Sequence, residues 1–276
     1  MKNTIYIAAI GFAILASCSK KDSLDIVGSS TVLPVISTAA ENFKKDNPSM
    51  SIIVNAGGSG VGINQLGEGK VDIGMASRDL KQEEMDRYPN VTFNMISIGK
   101  DAVAPVVSSE IYEAGIKALS LKQIGMIFNG TYTNWKQLGG PDKEILCVDK
   151  ETSRGTRHVF MKAVLGDEEA EAPGADLVLG SNNEEQTAIV QSDAAIGLLS
   201  NAWLNKDVKG LGIIMEDGSV VEPTIANVLN GSFPISRDLF VITNGSPQGK
   251  VKEFVDYLLS EKGQDIVEQV GYVRIK

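Results

Sequence analysis

Cysteine and histidine are nearly missing from this chain. Two cysteines, Cys18 and Cys147, and one histidine, His158, are spread over 276 residues. Cys18 ends an apolar leader, so Cys147 has no second cysteine inside a folded domain; no disulfide is expected, and stability must come from burial. One histidine and one interior cysteine cannot assemble a transition-metal cluster, so His158 reads as a packed or surface side chain, and neither a metal nor another cofactor is expected. Aromatic residues are few (6%) and the net charge is −9, which argues against the basic, aromatic-bearing surface that binds nucleic acid. The longest leader run, Ile5–Ala16, falls short of the roughly 20 apolar residues that span a bilayer as a helix.

Phosphate-binding and catalytic templates are missing too. Gly58-Ser-Gly60-Val-Gly62 places Ile63 where a dinucleotide fingerprint needs glycine, and Gly57-Gly-Ser59-Gly60-Val61 places valine where a hydrolase elbow needs glycine. Gly69-Lys70, Gly99-Lys100 and Gly249-Lys250 are never followed by serine or threonine, which excludes a P-loop. No set of nucleophile, base and orienting group is evident, so an enzyme is not expected.

The ends carry information of another kind. Lys2, the apolar run and Leu15-Ala16-Ser17-Cys18 read as an export signal whose last four residues resemble a bacterial lipobox. The expected layout is a signal peptide over residues 1–17 and a lipidated tether over 18–23, with Cys18 acylated and the chain held to a cell membrane on its periplasmic or extracellular face. Acyl chains contribute about 0.8 kcal/mol per buried CH₂, so more than one gives stable attachment. The signal holds one charge, Lys2, and its removal takes the net charge from −9 to −10.

Four segments set small hydroxyl residues beside glycine: Gly28-Ser-Ser-Thr-Val32, Gly57-Gly-Ser-Gly-Val-Gly62, Asp72-Ile-Gly-Met-Ala-Ser-Arg78 and Ser153-Arg-Gly-Thr-Arg157. Glycine lets backbone N–H groups approach a ligand, the hydroxyls add donors, and a following helix points its positive end at the same place. Together they predict an oxyanion site. Arginine at a helix start opposes the dipole unless an anion is present, which makes Arg78, Arg154 and Arg157 candidates, at least one of them to contact the ligand.

Apolar spacing predicts a strand over 24–27, a helix over 34–46, then strand, helix, strand and helix to residue 88, the βαβ order of a parallel sheet covered by helices. Two β-rich segments follow, 92–98 and 102–107. A second αβ half runs from residue 121, with a hairpin over 209–222 around Asp217-Gly218, and a strand over 237–243 leads back. The chain crosses near 101–107 and again near 233–243, so an α/β clamp is expected: residues 24–104 plus 235–276 form lobe I, 105–234 form lobe II, and ligand lies between them, at strand carboxyl ends.

In order and spacing, these segments resemble the family of phosphate-binding lipoproteins of the bacterial phosphate ABC transporter. The likeness extends through Ala195-Ile-Gly197 and Phe233-Pro-Ile-Ser-Arg-Asp-Leu-Phe240 to Gly271-Tyr-Val. It implies a periplasmic-binding-protein-like type II fold, each lobe a mixed sheet flanked by helices, that closes on inorganic phosphate and delivers it to membrane permease subunits as a monomer. Carried over by position, the ligand residues are Ser30, Thr31, Val32, Gly58, Ser59, Ser77, Arg78, Ser153, Arg154, Gly155 and Thr156. Better-known members have an aspartate near Ser77 or Arg78 and an arginine near Lys150, and a serine where Arg154 stands. Those departures leave a second reading open, a surface lipoprotein with a sensory role or one selecting sulfate, tungstate or molybdate.

Overall fold

The computed structural model describes residues 23–275; the signal peptide, Cys18 and most of the tether lie outside the described residues. In chain order the elements are β1 (Ser23–Gly28), α1 (Leu33–Asp46), β2 (Ser51–Ala56), α2 (Ser59–Gly67), β3 (Ile73–Ala76), α3 (Gln82–Arg87), β4 (Phe93–Ser108), α4 (Ser109–Glu113), β5 (Ala118–Ser120), α5 (Leu121–Phe128), β6 (Leu146–Lys150), α6 (Gly155–Leu165), β7 (Leu177–Leu179), α7 (Asn182–Gln191), β8 (Ala195–Ser200), β9 (Val208–Gly210), β10 (Gly212–Ile214), β11 (Val220–Val221), α8 (Ile225–Leu229), β12 (Ser236–Asn244), α9 (Gly249–Leu259) and α10 (Glu261–Val270). Among the described residues no helix is long and apolar enough to cross a membrane.

The first half follows its sequence pattern closely. Pro34 sits in the first turn of α1, where its missing N–H costs nothing, and Val35, Ile36, Ala39, Ala40 and Phe43 form the buried face. Phe43 meets Phe254 and Tyr257 edge to face, with centroids 5.5 and 5.3 Å apart. This ties the chain's first helix to its penultimate one. β1 pairs in parallel with both β2 and β3, so the three strand ends, each carrying one of the glycine–hydroxyl segments, line up along one edge.

Two large apolar clusters lie in the two lobes. One joins β1, α1, α9 and α10 through Leu24, Ile36, Phe43 and Phe254; the other joins α5, α6 and β8 through Phe128, Trp135, Phe160 and Ile196. Where two β segments were expected, β4 runs unbroken for 16 residues. Its first part pairs antiparallel with β12, and Val103 to Val107 pair with β8. The strand order β2-β1-β3-β12-β4-β8-β6-β7 therefore passes through β4 from one lobe into the other. Gly99-Lys100-Asp101 looked like a break on composition, but tertiary pairing on both edges overrides that local preference.

The expected hairpin is shorter than the pattern implied. Only β10 and β11 form it, with Ile213 opposite Val221, while β9 turns away at Leu211 and pairs with β4. α4, β5, β7 and α8, of three to five residues, escaped the pattern because so few residues display no period.

Candidate functional site

The site begins at the end of β1. Gly28 has φ +148°, and a Cβ there would lie 2.1 Å from the Met75 carbonyl oxygen. Glycine therefore lets β1 turn tightly against β3, and its carbonyl accepts from the N–H groups of Gly57 and Gly58 at 2.8 and 2.9 Å. Three of the four segments are thus stitched to one another through main chain. Ser29 Oγ accepts from the Thr31 and Val32 amides and donates to Ser77 Oγ at 3.0 Å. Ser59, at the start of α2, accepts the Ser77 amide at 3.0 Å. Ser30, between them, is half-buried.

The fourth segment comes from the other lobe. Ser153 offers its carbonyl to the Gly60 amide at 3.1 Å. Gly155 opens α6 so close to the first lobe that an added Cβ would stand 2.4 Å from Ser59 Oγ and 2.8 Å from Ser77 Oγ. Thr156 Oγ1 lies 3.2 Å from Thr31 Oγ1. Thr31, Ser59, Ser77 and Thr156 are all buried. A constellation of neutral donors from both lobes is the result.

Its centre is an arginine that the sequence reading did not select. Arg237, on β12, donates from Nη1 to Thr156 Oγ1 at 3.0 Å and to the Ser77 carbonyl at 3.2 Å, and from Nη2 to Thr31 Oγ1 at 3.3 Å. Its other side grips Asp101 Oδ2 through Nε and Nη2, at 3.0 and 2.6 Å. Ser200 donates to Asp101 Oδ1 at 2.8 Å. Burial pushes the Asp101 carboxyl up, against the opposing pull of Arg237 and the Ser200 hydroxyl. Asn182, at the start of α7, adds a donor to Thr31 Oγ1 at 3.3 Å. One signal for Asp101 was present in the sequence: it is the sole charge in the apolar run Asp101-Ala-Val-Ala-Pro-Val-Val107. Arg237 lay in a segment already marked as a family feature, but nothing local told it from a surface cation.

The three arginines selected from sequence, Arg78, Arg154 and Arg157, do other work in this conformation. Arg78 forms a two-pronged pair with Glu84, at 2.9 and 2.6 Å, and caps the Asp79 carbonyl. Arg154 turns outward to Glu151 at 2.6 Å. Arg157 pairs inward with Asp149 at 3.0 Å and reaches the Ala170 carbonyl. Lys150 pairs with Glu185, both fully enclosed. Burial pushes the Lys150 ammonium down and the Glu185 carboxyl up, each held back by the other's charge. So the four buried Lys and Arg side chains among the described residues, Arg78, Lys150, Arg157 and Arg237, each have their own buried carboxylate. The site's attraction for an anion comes from oriented donors rather than from surplus charge. Asp79, next to Arg78, is exposed.

A family model for the PBP superfamily domain matches residues 16–262. The phosphate-binding protein PstS of Bacillus subtilis is 37% identical over 255 residues, covering 92% of this chain and 81% of that protein. The PstS of Borreliella burgdorferi is 31% identical, covering 100% of this chain and 99% of that one. This chain belongs to the PstS family of the PBP superfamily. Among solved structures, a substrate-binding protein from Clostridium perfringens with bound phosphate superposes with a TM-score of 0.82 at 34% identity, covering 92% of this chain and 100% of that one. A phosphate transport receptor from Vibrio cholerae gives 0.72 at 29% identity, over 91% and 99%.

Two expected outcomes follow for this PstS-family chain. Thr156→Val, which keeps shape but removes a hydroxyl shared between the lobes, weakens oxyanion binding by at least about tenfold, the worth of one hydrogen bond to a charged group, with the melting temperature little changed; calorimetry reads the first and thermal unfolding the second. Glu185→Leu strands the Lys150 ammonium and drops the Leu198 amide bond at 2.6 Å, costing roughly 3–5 kcal/mol in urea denaturation. Adding Lys150→Met restores most of that loss, because the stranded charge is then gone.

Proposed function

We propose that this chain captures one inorganic phosphate outside the cytoplasm, between its lobes, and presents it to the permease subunits of an ABC transporter, without catalysing a reaction on it. The observation that carries this reading is the meeting of Thr31, Ser59 and Ser77 from one lobe with Gly155 and Thr156 from the other, around Arg237. Family membership supports the same ligand, since the relatives are phosphate-binding proteins and one was solved with phosphate bound.

In the proposed mechanism, lobe I (24–104 and 235–276) and lobe II (105–234) separate to admit the anion and close on it. A hydroxyl whose lone pair is filled by Arg237 turns its own proton elsewhere, so Thr31 and Thr156 become donors to a phosphate oxygen. The amides at the starts of α1, α2 and α6 add donors and the favourable ends of three helix dipoles. Closure is favoured only by contacts that the open form lacks. Hydrogen bonds to a charged group contribute roughly 1.5–3 kcal/mol each, so a handful gives micromolar or tighter binding. Cys18, when acylated, would keep the monomer at the membrane surface beside the permease.

Selectivity rests on hydrogen phosphate carrying a proton that sulfate lacks. Both oxygens of Asp101 are already bonded, to Arg237 and Ser200, so the acceptor for that proton is a main-chain carbonyl or a serine oxygen. Titration calorimetry with phosphate, arsenate and sulfate tests this. Phosphate and arsenate bind one to one and sulfate at least about tenfold more weakly, the worth of one lost hydrogen bond; equal sulfate affinity removes phosphate as the ligand.

A further inference from the structure

We propose that His158, Glu168 and Glu169 form a binding site for a divalent first-row cation, Zn²⁺ fitting best, in a groove that Arg78 and Arg237 also line. Counting histidine and cysteine in the sequence excluded a metal cluster, but that count left out carboxylates. α6 ends at Gly166, and the chain turns back so that the ligand atoms of His158, Glu168 and Glu169 lie within 4.8 Å of one another.

The imidazole is set up for this. Its Nε2 lies 2.6 Å from the Thr152 carbonyl oxygen, an arrangement that requires Nε2 to carry the proton and leaves Nδ1 with a bare lone pair. A backbone carbonyl that fixes the tautomer and aims the opposite nitrogen is the usual outer partner of a metal-binding histidine. The ring is buried, and Nδ1 has no hydrogen-bond partner among the described residues. Instead it faces Glu169 Oε1 at 3.7 Å. Two acceptors facing each other at that distance suit a cation between them.

Nearby positive charge does not preclude an ion. Arg78 is matched by Glu84 and Arg157 by Asp149. Lys81 pairs with Glu169 and is the group that a metal would displace; Lys162, exposed, and Asp79 line the same groove of about 460 Å³. Tetrahedral Zn²⁺ with ligand bonds near 2.0–2.2 Å holds donors about 3.4 Å apart, so no pair of ligand atoms must draw in by more than about 1.4 Å. Glu169 is exposed and Glu168 half-buried, which leaves them the rotamer freedom to do so. Imidazole nitrogen with two carboxylates and an open position for water matches the ligand preference of zinc.

His158 is the chain's only histidine, so its ring nitrogens are uniquely assigned in a nitrogen NMR spectrum of tag-free, chelator-treated protein in phosphate-free buffer. Titration with Zn²⁺ is expected to shift Nδ1 strongly upfield at one equivalent while Nε2 remains protonated. Calorimetry is expected to show one Zn²⁺ per chain, bound at least about tenfold more weakly by the Glu168→Gln/Glu169→Gln double variant. Those two residues are surface positions, so the variant tests the site even if His158→Gln fails to fold. An Nδ1 signal unmoved by several equivalents of Zn²⁺, or an affinity unchanged in the double variant, overturns the proposal. Neither result bears on phosphate binding, which uses other residues.

Discussion

Arg237→Met lowers phosphate affinity at least about a hundredfold, the largest single loss expected of any variant. The guanidinium touches Thr31 and Thr156, one hydroxyl from each lobe, and the Ser77 carbonyl between them. Without it the Thr31 and Thr156 hydroxyls are no longer held as donors, and losing those two hydrogen bonds to the phosphate amounts to roughly 3–6 kcal/mol, or about two to four orders of magnitude. The single variant also leaves Asp101 enclosed without its cation, at 0% exposure, so it lowers the melting temperature as well. Arg237→Met with Asp101→Asn separates the two effects. Removing both charges of a buried pair is often close to neutral for folding, whereas removing one costs several kcal/mol. The double variant should therefore regain most of the stability and none of the affinity. Recovery of tight phosphate binding along with stability would show that Arg237 is only a structural brace.

Gly155→Ala separates the same properties in the opposite sense. A methyl group at 155 meets Ser59 Oγ and Ser77 Oγ only when the lobes are together. Easing the contact means turning Ser59 Oγ away from the Ser77 amide, which loses a buried hydrogen bond, or leaving the cleft partly open. Overpacking of this kind costs roughly 1–3 kcal/mol, so affinity falls about tenfold to a hundredfold. The open form has no such clash, and alanine favours a helix over glycine by about 1 kcal/mol. The melting temperature without phosphate accordingly stays level or rises, while calorimetry records the weaker binding. A melting temperature that drops with affinity intact would place Gly155 in the fold and not in the closing surface.

These variants also show where the sequence could and could not be read. The strand and helix order of the first ninety or so residues was legible chiefly because its longest helix carries an unmixed apolar face, Val35, Ile36, Ala39 and Phe43 on α1. The oxyanion loops were legible because glycine beside serine or threonine has a local conformational meaning. Two things were out of reach. The continuity of β4 depends on partners far along the chain, with Ala102 opposite Ser236 and Val103 opposite Ser200. The buried ion pairs depend on three-dimensional proximity as well: Asp101 finds Arg237 136 positions later, and Lys150 finds Glu185 on α7. Motif spacing led to Arg78 and Arg154, whose charges turn out to be occupied by Glu84 and Glu151. Those pairs are local, at six and three residues, yet a nearby acid on the sequence does not reveal which way either guanidinium points.

The central claim is that binding and closure are one event, because the donors reside on both lobes. Small-angle X-ray scattering of phosphate-stripped protein, before and after one equivalent of phosphate, tests it most directly. The radius of gyration is expected to fall on addition of phosphate and to remain unchanged with sulfate at the same concentration. A radius that does not move while calorimetry records saturated phosphate binding would contradict the account.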